Sequence, residues 1–172
     1  NFEVPGMLVG RILRSPFPHA RVAMVDGTRA EQLPGVGAVL TRADFAPHSP
    51  MSGIYGRVYR DQTVVATEKV RFVGEPVAAV AAVDENTADE ALSLIQVEYE
   101  ELPAVFDEEE ALKSGSPLVH DPRPPQDPAF SSLIGNLSNG GNVCSHFKLR
   151  HGDVERGFAE ADFVFEDTFR SP

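Results

Sequence analysis

A chain of 172 residues with 42% hydrophobic and 24% charged residues is sized for one domain and composed like an ordinary globular protein, which excludes disorder over its whole length. Fifteen Lys and Arg stand against 26 Asp and Glu, a formal charge of −11, and such a field repels phosphate backbones and anionic lipid, so neither nucleic acid nor membrane is an expected partner. The single Cys144 cannot close an internal disulfide or complete a CxxC pair, and a reducing, cytoplasmic setting is expected.

The 14 Gly and 14 Pro are about one residue in six, against roughly one in eight in average usage, so long uninterrupted helices are not expected. The longest apolar run, Pro76 to Val83, falls far short of the ~20 residues that span a bilayer. No basic-then-apolar leader opens the sequence. The start at Asn1 and the end at Pro172 are expected to be cuts through a longer polypeptide.

In chain order, Met7 to Leu13 is apolar apart from Gly10 and Arg11, the pattern of a strand buried on both faces. Ser15-Pro16-Phe17-Pro18 interrupts it, because proline offers no amide to a helix or ladder, and Arg21 to Val25 reads as a second strand. These two are expected to pair as an antiparallel hairpin. Ala30 to Leu33 is predicted as a helical turn ahead of Pro34-Gly35, Gly37 to Leu40 as a short strand, and Thr41 to Phe45 as a threonine-capped turn. Pro, Ser and Gly punctuate Ala46 to Asp61 and predict a surface loop.

The strongest signal is central. Pro76 to Val83 is a buried-strand run of Val and Ala, followed by Thr87-Ala88-Asp89-Glu90, a capping-box pattern that predicts a helix start at Thr87. Ala88, Ala91, Leu92 and Ile95 recur on one helical face, and Val97 and Tyr99 alternate with Gln96, Glu98 and Glu100 as in a half-buried strand. This strand–helix–strand unit leaves strand direction open; were the strands parallel, the crossover would be right-handed. Asp107 with Glu110 repeats the capping pattern ahead of a short helix through Lys113.

From His120 to Asn142 the sequence lacks periodicity and carries Asp121-Pro122-Arg123-Pro124-Pro125 and Asn139-Gly140-Gly141-Asn142, predicting an extended arm. Cys144 to Arg150 reads as a strand, Asp153 as the cap of a helix with Val154, Phe158 and Ala161 on one face, and Phe163 to Phe169 as alternating aromatic and polar positions. The fold class is therefore α+β (mixed α/β), with residues 1–172 as a single domain trailing a long connection.

Catalytic signatures are scarce. The sequence holds no Walker loop, no GxGxxG, no HExxH and no GxSxG. Cys144, His146, His151 and Asp153 are four potential metal ligands within ten positions; the plainer reading makes Cys144 a small buried hydrophobe and points both histidines to solvent. His19 and His120 neighbour prolines and read as hydrogen-bonded loop residues rather than acid–base catalysts. The acidic residues Glu98, Glu100, Glu101, Asp107, Glu108, Glu109 and Glu110 offer a surface for cations or a basic partner, or simply a solvated face. Gly74-Glu75-Pro76 combines conformational freedom with rigidity ahead of the central strand, and is either a turn aimed at a partner or ligand or a stiff start to that strand.

Six ordered blocks carry a resemblance: Pro5 to Leu8, Arg14 to Arg21, Leu33 to Val36, Lys69 to Ala78, Val97 to Val105, and Gly152-Asp153 with Phe158 and Ala161-Asp162. Together they resemble the N-terminal α/β hammerhead domain of the molybdopterin-binding large subunit of the xanthine dehydrogenase and aldehyde oxidase family. The resemblance implies a hammerhead-like domain with a strand–helix–strand unit and an N-terminal strand hairpin. It also implies a parent enzyme that oxidises aldehydes, purines, N-heterocycles or carbon monoxide with oxygen from water. That parent would use molybdopterin, [2Fe-2S] clusters and FAD, with the molybdopterin-binding domains and the iron–sulfur and FAD subunits or domains as partners. The cofactor-cradling segments and the glutamate base of the family are expected in other domains, so no catalytic, cofactor-binding or metal residue is expected here. Gly74, Glu75 and Pro76 are then candidates for a domain interface or substrate entrance. The alternative is a stand-alone acidic protein-binding adaptor domain.

Overall fold

The computed structural model describes residues 4–45, 53–55, 62–121, 141–143, 149 and 151–169. The elements are β1 (Val9–Arg14), β2 (Ala20–Asp26), α1 (Thr28–Glu31), β3 (Val36–Leu40), a 3-10 turn (Arg42–Phe45), β4 (Ile54–Tyr55), β5 (Gln62–Thr63), β6 (Lys69–Val70), β7 (Pro76–Ala82), α2 (Glu85–Leu94), β8 (Gln96–Glu101), α3 (Glu108–Ala111) and α4 (Val154–Glu160). The strands pair antiparallel throughout, in two three-stranded sheets ordered β1-β7-β3 and β6-β2-β8 and a two-stranded ribbon β4-β5.

The mixed α/β class holds, but the expected hairpin of the first two strands does not. β1 pairs with β7 and β2 with β8, in different sheets. The cause is Ser15: beyond the Arg14↔Pro76 pair its amide donates to Glu75 O (2.9 Å) and its carbonyl accepts from Gly74 N (2.8 Å). The β1–β7 ladder thus continues past the end of β1, and the proline-bearing 16–18 stretch carries the chain across to the second sheet. The strand–helix–strand unit likewise spans both sheets, β7 lying in one and β8 in the other, so no parallel crossover arises.

β7 reaches two cores, one along its length and the other through Val77 near its start. Ala78, Val80 and Ala82 join Ala30, Ala88, Ala91 and Ile95 beneath α2, where small side chains let helix and strand approach closely. The register skips Val77 between the Leu13↔Ala78 and Arg14↔Pro76 pairs, a bulge. Val77 faces the opposite way, into a cluster with Ala20, Val22, Ala66 and Val70. Val25 and Val97 pack against both clusters, which joins them into one apolar interior.

Two local devices differ from expectation or were not foreseen. The helix cap is Asp84, whose carboxylate accepts from Thr87 N (2.8 Å), so α2 begins two residues before the expected Thr87 start. Those hydrogen bonds from Thr87 hold the Asp84 carboxyl below the usual carboxylate range. At the bulge between Val22 and Met24 in β2, the Arg42 guanidinium donates to Val22 O (2.6 Å), Ala23 O (2.8 Å) and Thr67 O (3.2 Å). The expected caps at Thr41, Asp107 and Asp153 are present: Thr41 Oγ1 accepts from Ala43 N, Asp107 from Glu110 N and Asp153 from Arg156 N.

Within the expected 46–61 loop the described residues include β4, paired to β5. The 120–142 arm is described only at its ends. There the Asn142 side chain accepts from Val119 N (2.9 Å) and donates to Ala111 O (3.0 Å) and Pro117 O (2.9 Å), while Asp121 pairs with Lys69 at 3.1 Å. The strand expected over Cys144–Arg150 falls outside the described residues except for Leu149. Phe163–Phe169 forms no strand: an alternating segment needs a ladder partner, and no strand among the described residues pairs with it.

Candidate functional site

The Gly74-Glu75-Pro76 candidate sits on a braced turn joining β6 to β7. Glu75 N donates to Phe72 O (3.2 Å), and Gly74, third of the four turn residues, has φ +93°, the arrangement of a type II turn, which needs glycine at that position. Arg14 Nη1 donates to Gly74 O (2.8 Å). Together with the Ser15 backbone pair, these bonds fasten the turn to the end of β1.

Glu75 points into the protein, 8% exposed. Its Oε2 accepts from Arg71 N, and its Oε1 lies 3.7 Å from Arg71 Nη1, itself donating to Lys69 O (3.2 Å). The carboxylate is thus an internal tie across the base of the turn. A desolvated carboxylate is retained only when paired and hydrogen-bonded, as here. Pro76 O accepts from Ala66 N (2.8 Å), fixing the start of β7. The residues the turn displays are Phe72 and Val73, 56% and 63% exposed. The site is therefore presented by two residues sequence reasoning did not single out; the available signal was their place between an Arg–Glu pair at i, i+4 and a turn glycine.

Around it, the Lys69 ammonium holds the Asp121 carboxyl below its usual range. His19 is buried, with Nδ1 2.7 Å from Pro103 O, matching its reading as a hydrogen-bonded loop residue. Tyr99 stacks at a tilt on Phe17, ring centres 5.0 Å apart, and burial pushes its hydroxyl pKa up, partly offset by a hydrogen bond with Ser15. The acidic 98–110 positions are solvated or locally engaged: Glu100 pairs with Arg21 (3.4 Å), Asp107 caps α3 and Glu110 pairs with Lys113. Of the metal candidates, Cys144 and His146 lie outside the described residues, and the Asp153 carboxylate is occupied as a helix cap.

The arrangement is a turn fastened by hydrogen bonds to the end of β1 and displaying a small apolar tip. Residues 1–103 match the family model of the aldehyde oxidase and xanthine dehydrogenase a/b hammerhead domain. The chain belongs to that family. This hammerhead chain is 39% identical over 172 residues to a probable xanthine dehydrogenase subunit of Bacillus subtilis, covering all of itself and 20% of the relative. It is 34% identical over 170 residues to the nicotinate dehydrogenase large molybdopterin subunit of Eubacterium barkeri, covering 98% of itself and 35% of the relative. Among solved structures, the Cu,Mo-CO dehydrogenase in its carbon monoxide reduced state superimposes with a TM-score of 0.70 at 33% identity, over 94% of this chain and 20% of that one. The hammerhead chain thus spans between a fifth and about a third of these relatives.

Family membership raises the question of whether these residues fit a molybdopterin centre. Among the described residues no three His, Cys, Asp or Glu side chains come together as metal ligands. The two buried polar atoms without a partner among the described residues are His19 Nε2 and Arg71 Nε; in the same side chains His19 Nδ1 lies against Pro103 O and Arg71 Nη1 against Glu75 and Lys69 O. No described residue is assigned to a pterin, and no chemical step is derived through one. Among the described residues no helix is long and apolar enough to cross a membrane.

Proposed function

We propose that residues 1–172 form one domain of a molybdenum hydroxylase large subunit, a non-catalytic scaffold in a cytoplasmic enzyme that oxidises an aldehyde, purine, N-heterocycle or carbon monoxide with water-derived oxygen. The observation that carries this reading is the match of residues 1–103 to the hammerhead family model, supported by 39% identity along the whole chain to a protein named as a xanthine dehydrogenase subunit. In this reading the scaffold packs against the molybdopterin-binding domains of its own subunit. The [2Fe-2S] and FAD centres lie in partner domains or subunits. The turn built by Gly74, Glu75 and Pro76 stands at the domain boundary or substrate entrance, with Phe72 and Val73 making the contact. The adaptor reading, which would hold a partner on the acidic 98–110 region or the extended arm, gains no support from these matches.

The test is made in the complete enzyme. Glu75→Ala removes the internal tie and is expected to change steady-state kinetics or subunit assembly, with Glu75→Gln intermediate because it keeps an acceptor for Arg71 N. Wild-type kinetics and assembly in both variants would remove the turn from the boundary. Turnover of aldehyde or heterocycle by the 172-residue chain alone would overturn the scaffold reading itself.

A further inference from the structure

The hammerhead reading leaves one part of the chain without a role. From His151 to Phe169 every described residue is exposed, although the segment is patterned for burial. Val154 and Phe158 are four apart on α4, so they share a helical face. Phe163, Phe165 and Phe169 fall on one side of any extended chain, and are 81%, 91% and 89% exposed. With Phe158 these are four phenylalanines, each worth roughly 150–250 Å² when covered. Their sum of roughly 600–1,000 Å² brackets the ~800 Å² that each side of a standard stable interface buries.

The surroundings of the strip restrict what covers it. Among the described residues of this segment, Asp153, Glu155, Glu160, Asp162, Glu166 and Asp167 flank it, against the guanidinium of Arg156, which is itself held by Glu160 at 3.1 Å. A second copy of a chain of charge −11 would bring acid against acid, a juxtaposition that costs several kcal/mol, so self-association is disfavoured. The similarity to the Bacillus subtilis relative runs through this segment to the full length of the chain, within a polypeptide five times as long, whereas the hammerhead model ends at residue 103. The segment therefore belongs to what the relatives share beyond the hammerhead core.

We infer that Val154, Phe158, Phe163, Phe165 and Phe169 are a docking strip for the remainder of the same large subunit, seated on an apolar surface with a basic rim. This rests on the large-subunit reading above. Covalent continuity favours that occupant, because the strip meets its own polypeptide at a high effective concentration.

The experiment uses the full-length subunit in the assembled enzyme, with Phe165 replaced by a benzophenone-bearing amino acid and the photoproduct located by peptide mass spectrometry. A cross-link to a peptide of the same polypeptide outside residues 1–172 is the expected result. A cross-link to a separate subunit or to a second copy, or no cross-link, overturns the inference. Hydrogen exchange on the wild-type enzyme needs no variant: protected amides across 154–169 are expected, and free exchange there overturns the inference as well. Pterin content of the same preparation separates the two levels. Pterin present with the cross-link misplaced removes only the docking strip, whereas absent pterin removes the large-subunit reading.

Discussion

Gly35 and Gly74 share a φ of +93° but differ in their surroundings, which allows backbone strain and steric overlap to be measured apart. A Cβ at Gly74 meets nothing within 4 Å, whereas one at Gly35 lies 2.9 Å from Val83 Cγ2 and 3.2 Å from Thr87 Cγ2. Alanine at positive φ costs roughly 1–2 kcal/mol, less roughly 0.4–1 kcal/mol regained because the unfolded chain is stiffer. Gly74→Ala is therefore expected to destabilise by about 0.5–1 kcal/mol. At Gly35 the β-branched Val83 must leave its rotamer or the turn must shift, adding about 1–2 kcal/mol. Val83 is exposed, so Val83→Ala alone changes little, and in that background Gly35→Ala recovers about 1 kcal/mol of its excess loss. The assay is urea unfolding followed by far-ultraviolet circular dichroism, since the chain has no tryptophan. Equal losses for Gly35→Ala and Gly74→Ala, or no relief from Val83→Ala, would refute the division between strain and overlap.

Three further outcomes follow from local geometry. Asp84→Ala lowers the urea midpoint at neutral pH while Glu90→Ala leaves it unchanged, because Asp84 rather than a Thr87–Glu90 box caps α2; equal effects would refute that assignment. The Asp121 carboxyl titrates below its usual value beside Lys69, so its stabilisation is complete above its ordinary pKa of about 3.9 and is lost as pH falls through the lowered one. Asp121→Asn should thus cost under about 1 kcal/mol at pH 6, the scale of an exposed pair, and nothing once the wild-type carboxyl is protonated; a difference surviving at the acid end counts against the pair. Arg42→Lys, measured by the same unfolding assay, should cost about 2 kcal/mol, because an ammonium cannot reach three carbonyls at a bulge as a guanidinium fork does, and a neutral result would show that water replaces it.

Much of the fold was legible because its signals are local. The Val and Ala run of 76–83, the stripe of Ala88, Ala91 and Ile95, the alternation of Val97 and Tyr99, and the aspartate caps at 107 and 153 all state their structure within a few residues. Pairing was not legible: two adjacent apolar strands invite a hairpin, and only the long-range bonds of Ser15 to Gly74 and Glu75 send them to different sheets. Asp84 was missed because Thr87 and Glu90 imitate a capping box three residues downstream. At the turn, sequence located Gly74 and Glu75 but not the inward direction of the carboxylate, which depends on Arg71 N and the Arg71 guanidinium. The aromatic alternation at 163–169 was read correctly as a pattern, yet a pattern specifies a strand only when a neighbour supplies the ladder.

The double burial of β7 sets how the protein comes apart. Since Val77 is wedged into one cluster and Ala78, Val80 and Ala82 into the other, neither sheet can melt while its companion stays intact. Amides along 77–82 should be the last to exchange with heavy water, released together only when the entire molecule opens.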